Sequence, residues 1–177
     1  MIFNEEDYKS GDGMLTTVWG PPLWHFLHTM SFNYPINPTT EEKKHYMNFV
    51  KSLENILPCK YCRVNFKKNI KTLPLTLEDM KSRYTFSKYI FDLHELINKM
   101  LNKKSNLTYE DVRETYEHFR ARCTESKRKH KRKTKKKEMG CVKPLYGEKS
   151  KCILRIIPQK IKTKSFDVDK KCIKKRD

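Results

Sequence analysis

Apolar positions between residues 20 and 123 recur at three- and four-residue intervals, and alternating strand-like patterning is absent. In GPPLWHFLHTMSF the two prolines suit a first helical turn, and Trp24, Leu27, His28 and Ser31 then share one face. YPINP breaks this element. TTEEKKHYMNFVKSLENIL follows, with Thr39 and Glu42 at capping-box spacing and an apolar stripe of Tyr46, Phe49, Val50, Leu53 and Ile56. Pro58 stops that helix, and CKYCRVNFKKNI continues as a short one, with Cys59 in its first turn and Cys62 one turn on. LEDMKSRYTFSKYIFDLHELINKML reads as a long helix burying Phe86, Tyr89, Ile90, Leu93, Leu96, Ile97 and Met100. TYEDVRETYEHFRARC is the last, with Thr108 as N-cap and Asp111 beside it. The pattern predicts an all-α protein: four helices in a bundle with a short fifth.

Charge changes the picture only toward the C-terminus. Residues 1–120 carry 17 basic and 15 acidic side chains, whereas residues 121–177 carry 22 and 6, so nearly all of the net charge of +18 lies in the last third. The expected organisation is an N-terminal extension over residues 1–13, a helical domain over 14–120 and a basic, cysteine-containing tail over 121–177. The run 127–137 is almost wholly cationic and should repel itself into a disordered chain. It has no interleaved aromatics, so its contacts with nucleic acid or another anionic surface would be sequence-blind. The patch CILRIIPQKI within the tail suits a strand or a docking segment.

No stretch approaches the roughly 20 apolar residues that span a bilayer. MIFNEEDYKSGDG is acidic and lacks an apolar centre, so no secretory signal is read there. The expected setting is the reducing cytosol, where structural disulfides are uncommon; the basic run also allows the nucleus.

The chemistry turns on Cys59 and Cys62, spaced CxxC behind Pro58. Three readings stand side by side. Two free cysteines can serve as small buried hydrophobes. They can be half of a zinc site, but zinc needs four ligands and no second CxxC exists; His45 and His94 are candidates to complete it, while Cys123, Cys141, Cys152 and Cys172 are widely spaced. Or they can be a redox dithiol: a helix N-terminus favours a thiolate, and Lys60 and Arg63 add positive charge beside it. A redox CxxC without a thioredoxin-like βαβ frame needs an electron sink elsewhere, and a bound cofactor is the natural one.

Three motifs in order add to this: Trp24 and His28 as W-x-x-x-H, then Pro58–Cys62 as PCxxC, then His94 and Asn98 as H-x-x-x-N. On an all-helical pattern, over about residues 14 to 120, they resemble the ERV/ALR family of FAD-linked sulfhydryl oxidases. WGPPLWHFLHTMSFNYP is especially similar to the short versions encoded by large cytoplasmic DNA viruses. The resemblance implies a helical bundle that grips FAD and oxidises protein dithiols, or a dedicated thiol relay protein, passing electrons to molecular oxygen to give hydrogen peroxide. It implies Cys59 as the interchange cysteine and Cys62 as the flavin-proximal one. Trp24 and His28 would line the cofactor pocket, and His94, Asn98, Leu101 and Lys103 would hold the cofactor from the long helix. It also implies a homodimer; the cytosolic setting expected from the absence of a signal extends to a viral assembly site or the virion.

Two departures accompany the resemblance. Glu95 stands where the family often has Asn, which adds a negative charge near the cofactor. Phe91 and about Thr108 stand where cellular members carry a structural cysteine pair, so packing, with Phe91 filling core volume, must replace that disulfide. Some of Cys123, Cys141, Cys152 and Cys172 are expected to relay disulfides to Cys59. The competing reading of the whole chain is a helical, zinc-stapled nucleic-acid-binding protein that uses the basic tail.

Overall fold

The computed structural model describes residues 4–122, 141–164 and 166–175. Its elements are α1 (Glu5–Lys9), α2 (Thr16–Phe32), α3 (Thr40–Ile56), α4 (Lys60–Thr72), α5 (Arg83–Met100), α6 (Tyr109–Glu117) and a 3₁₀ turn at Lys170–Cys172. Among the described residues the only β pairing is an isolated bridge between Ala121 and Pro144. The chain divides into two units, Met1–Asn106 and Leu107–Asp177.

In the first unit α2 packs on α5, α3 on α4, and α4 on α5. The predicted helices are all present, but their boundaries shift for local reasons. Helix α2 begins at Thr16, four residues before Gly20, so Pro21 and Pro22 lie inside it instead of opening it. There they withhold two backbone donors from the second turn. Helix α5 begins at Arg83 and not near Leu77. The Thr76 N–H and hydroxyl both donate to Asp79 Oδ2, at 2.8 and 2.7 Å, which closes a separate turn. Ser82 then caps α5 itself by accepting from the Thr85 N–H at 3.2 Å. Helix α3 carries the expected capping box, with Thr39 and Glu42 reciprocally bonded.

The core of this unit is an apolar cluster including Leu27, Val50, Leu53, Phe86, Ile90 and Leu93. Tyr34 is buried with them. Its hydroxyl donates to the Met80 carbonyl at 3.0 Å, and its ring meets Tyr46 edge-on at 4.8 Å. Five of the predicted core positions are not core, among them Leu96, which is half-buried and outside the apolar cluster. Phe49, Ile56 and Met100 are exposed. Phe91 is half-buried, with the Lys88 ammonium 5.6 Å above its ring, so it does not fill core volume. Helical spacing selects a face, but the width of that face actually covered depends on which neighbour lies there.

Helix α5 closes in a Schellman motif. The Asn102 N–H donates to the Lys99 carbonyl at 3.1 Å and the Lys103 N–H to the Asn98 carbonyl at 2.8 Å. Asn102 takes φ +55°, a left-handed conformation that Asn tolerates better than most residues. This fixes the backbone of Lys103 at the end of α5.

In the second unit α6 starts at the predicted cap, with Thr108 and Asp111 forming a capping box. It stops at Glu117, short of the predicted end. Beyond it the backbone pairs elsewhere: the Arg122 N–H donates to the Lys143 carbonyl at 2.8 Å, and the Leu145 N–H to the Arg120 carbonyl at 2.7 Å. Gly147 has φ +65°, and a Cβ there would lie 2.6 Å from the Cys172 carbonyl carbon, so the turn requires glycine. The patch 152–161 forms no strand; Ile153, Leu154 and Ile156 are exposed. The cationic run 127–137 and Cys123 lie outside the described residues.

Candidate dithiol and cofactor site

Pro58 cannot donate a backbone hydrogen bond and holds the chain extended ahead of α4. Cys59 is therefore the N-cap of that helix, not a residue of its first turn, with φ −156° and ψ 121°. Its Sγ accepts from the Cys62 N–H at 3.3 Å. Both cysteines are free thiols and each is partly exposed.

The two thiols are held in different electrostatic states. Hydrogen bonding from the Cys62 side chain, helped by backbone N–H groups and the Thr16 hydroxyl, lowers the Cys59 pKa. Burial, and the hydrogen bond it gives to Cys59, raise that of Cys62. The lowering at Cys59 arises from these hydrogen bonds, not from the cations expected to flank the pair. The Arg63 guanidinium donates to the Leu57 carbonyl at 2.6 Å, and Lys60 is exposed.

Residues before α2 close over the pair. The Met14 N–H donates to the Pro58 carbonyl at 2.8 Å, and the Trp19 indole N–H donates to the Met14 carbonyl at 3.0 Å. The Thr16 hydroxyl lies 3.5 Å from Cys62 Sγ. Sequence reasoning missed Thr16. A threonine in MLTTVWG gives no signal by itself, because its partner is 46 residues away.

The second group forms where α2 and α5 pack. Trp24 and His28 are one turn apart on α2, as are His94 and Asn98 on α5, and Trp24 and His28 both meet His94 across the packed helices. The Trp24 and His94 rings stack at 3.9 Å with 5° between their planes. His28 Nε2 and His94 Nδ1 are 3.0 Å apart, within one hydrogen bond. Burial, aided by the neighbouring imidazoles, pushes the His28 pKa down to about 3. Burial also brings His94 down to about 4, against the opposing pull of Glu95. Near neutral pH both rings are uncharged, so their shared contact is a neutral donor–acceptor pair.

Glu95 does not stand free beside this cluster. Its Oε1 accepts from Asn98 Nδ2 at 2.9 Å along the same helix. Lys103 follows the Schellman turn and is close enough to His94 to lower its pKa. Leu101 is the exposed C-cap of α5. The structure thus brings Trp24, His28 and His94 into direct contact, with Asn98 one turn on and Leu101 and Lys103 at the helix end.

These residues suit a flavin dinucleotide. Flat, half-buried aromatic surface and neutral imidazoles match uncharged heteroaromatic rings, and a lysine at the rim matches a pyrophosphate. No such agreement holds for zinc: among the described residues no three His, Cys, Asp or Glu side chains gather as a metal-binding group. In the second unit Cys141 is disulfide-bonded, while Cys152 and Cys172 are free thiols.

Residues 21–120 match the model of the Erv1 / Alr family, and the chain belongs to that family. It is 39% identical over 99 residues to a protein of Acanthamoeba polyphaga mimivirus named probable FAD-linked sulfhydryl oxidase R368, covering 56% of this chain and 68% of that protein. It is 33% identical over 90 residues to a protein of Invertebrate iridescent virus 6 named putative FAD-linked sulfhydryl oxidase 347L, covering 49% and 81%. Its fold matches the crystal structure of the FAD binding domain of Erv1 from Saccharomyces cerevisiae with a TM-score of 0.53 at 24% identity, over 58% of this chain and 94% of that one.

Proposed function

We propose that this chain is an FAD-dependent sulfhydryl oxidase that forms disulfides in protein dithiols and passes the electrons to oxygen. The observation that carries the reading is a dithiol at the N-terminus of α4 in the same helical unit as the stacked Trp24–His94 cluster. The family match supports it.

The working state of the pair is the Cys59–Cys62 disulfide. A client thiolate attacks Cys59 Sγ, the Cys59–Cys62 bond breaks, and the bonding electron pair leaves on Cys62 as a thiolate. The client's second thiolate then attacks the mixed disulfide, releasing an oxidised client and the reduced pair. Cys59 is the attacked sulfur because it caps the helix at its open end, and lowered thiol pKa values make better leaving groups in the resolving step. When bound, FAD supplies a two-electron acceptor for the reduced pair and hands the electrons to oxygen, so that dithiol and O₂ become disulfide and hydrogen peroxide.

Trp24, His28, His94, Asn98, Leu101 and Lys103 would hold the cofactor. Trp24 and His94 supply flat apolar surface, the uncharged His28 and His94 supply hydrogen bonds, and Lys103 supplies charge for phosphate. Clients are protein cysteine pairs or a thiol relay protein, the active unit is a homodimer, and the basic tail contacts an anionic surface. Cytoplasmic action fits the viral relatives.

The test is a visible absorption spectrum of the purified chain before and after a dithiol is added. A flavin band that bleaches, with oxygen consumed and peroxide formed, is the expected result. A chain that takes up no flavin on reconstitution would overturn the reading.

A further inference from the structure

The segment ahead of α2 is built onto the dithiol at several points. The Met14 N–H binds the Pro58 carbonyl at 2.8 Å, and the Trp19 indole holds Met14 from the helix side at 3.0 Å. Gly13 lies so close that a Cβ there would fall 2.7 Å from the Pro58 oxygen and 3.0 Å from Cys59 Cα. A backbone approach this tight admits only glycine without displacement. These contacts set the first residue of α2, Thr16, with its hydroxyl 3.5 Å from Cys62 Sγ.

We infer that Thr16 is a positioning residue for the thiol chemistry: its hydroxyl donates to Cys62 Sγ and stabilises the thiolate released there. A thiolate has no proton to give, so when Cys62 carries the charge the hydrogen bond runs only from Thr16 to sulfur. In the exchange step the Cys59–Cys62 bond breaks, the electron pair goes to Cys62, and the Thr16 hydroxyl receives it with a charge-assisted bond. The same hydroxyl favours the thiolate at both cysteines, which fits a donor beside a migrating charge. The inference rests on the assignment of Cys59 as the client-facing and Cys62 as the inner cysteine.

The experiment is pH-dependent alkylation of each thiol in the reduced full-length chain, followed by mass spectrometry. In Thr16→Val the apparent pKa of Cys62 should rise by about half to one unit, which is about three- to tenfold less thiolate at a given pH. Thr16→Ser keeps the hydroxyl and should restore the wild-type curve. A Cys62 curve unchanged in Thr16→Val overturns the inference, and so does a Thr16→Ser curve displaced as far as that of the valine variant. Should Thr16→Val fail to fold by circular dichroism, Gly13→Ala, which pushes the strap off Pro58, must raise the Cys62 pKa in the same sense; no rise there overturns the inference. The readout needs neither flavin nor oxygen, so failure of the oxidase reading would show separately, in the absorption experiment.

Discussion

His28 and Cys59 lie in the same unit, each a group whose charge would matter to the chemistry, and the protein treats them in opposite ways. His28 is 4% exposed, pinned between α2 and α5, and kept neutral by burial. Cys59 is only partly covered, caps a helix, and has its thiolate favoured by hydrogen bonds. The first setting suits a surface that receives an uncharged ring and should not change state near neutral pH. The second suits a nucleophile and leaving group that must change state in each cycle. Burial supplies constancy, and a half-open helix end supplies reactivity.

That contrast predicts separable failures. The largest effect is expected at the cysteines. Cys62→Ser should lower oxygen-coupled dithiol oxidation at least about a thousandfold, because no disulfide forms with Cys59, while bound flavin and the melting temperature stay near wild type. Loss of flavin together with turnover in this variant would merge the two regions into one.

His94→Ala should do the converse. It removes the partner of both the Trp24 ring and His28, and leaves His28 buried without that hydrogen bond. Flavin retained after gel filtration should fall by about tenfold or more. Alkylation of Cys59 in the reduced chain should stay as fast as in wild type.

Acid should act through the histidine face. His28 and His94 have folded pKa values near 3 and 4, below the unfolded value of 6.5. Their contribution is complete above pH 6.5 and is lost as pH falls through the folded values, because the unfolded chain binds the protons first. Between about pH 6.5 and 4 the unfolding free energy should fall by up to about 1.4 kcal/mol per pH unit for each group. Denaturant melts of the wild type and of His28→Gln would check this; equal slopes for the two would remove His28 from the account.

The smallest effect tests the frame that holds both regions. Thr39→Ala breaks the capping box of α3, where the Glu42 N–H donates to the Thr39 hydroxyl at 3.2 Å. Stability should drop by about 1 kcal/mol with the dithiol and flavin spectra unchanged. A changed flavin spectrum would mean that α3 does more than support.

Much of the fold was legible in the chain. Thr39 with Glu42, and Thr108 with Asp111, mark helix starts that the structure keeps, because a cap is a local arrangement needing only four consecutive residues. Where a start was misplaced, a competing local arrangement won: Thr76 with Asp79 closes its own turn ahead of Ser82. Phe49 and Ile56 sit on an apolar stripe yet are exposed, since periodicity names a face and only packing says how far it is covered.

The sequence by itself determined the helical class, the CxxC at a helix start, and the one-turn spacing of Trp24 with His28 and of His94 with Asn98. All of these are properties of residues within a few positions of each other. Tertiary structure alone decided that the Trp24 ring lies flat on His94, that His28 and His94 share one hydrogen bond, and that Thr16 touches Cys62. The reason is sequence separation: each of these contacts joins residues 46 or more positions apart, and the distance between such residues is set by how helices pack, which no local pattern encodes.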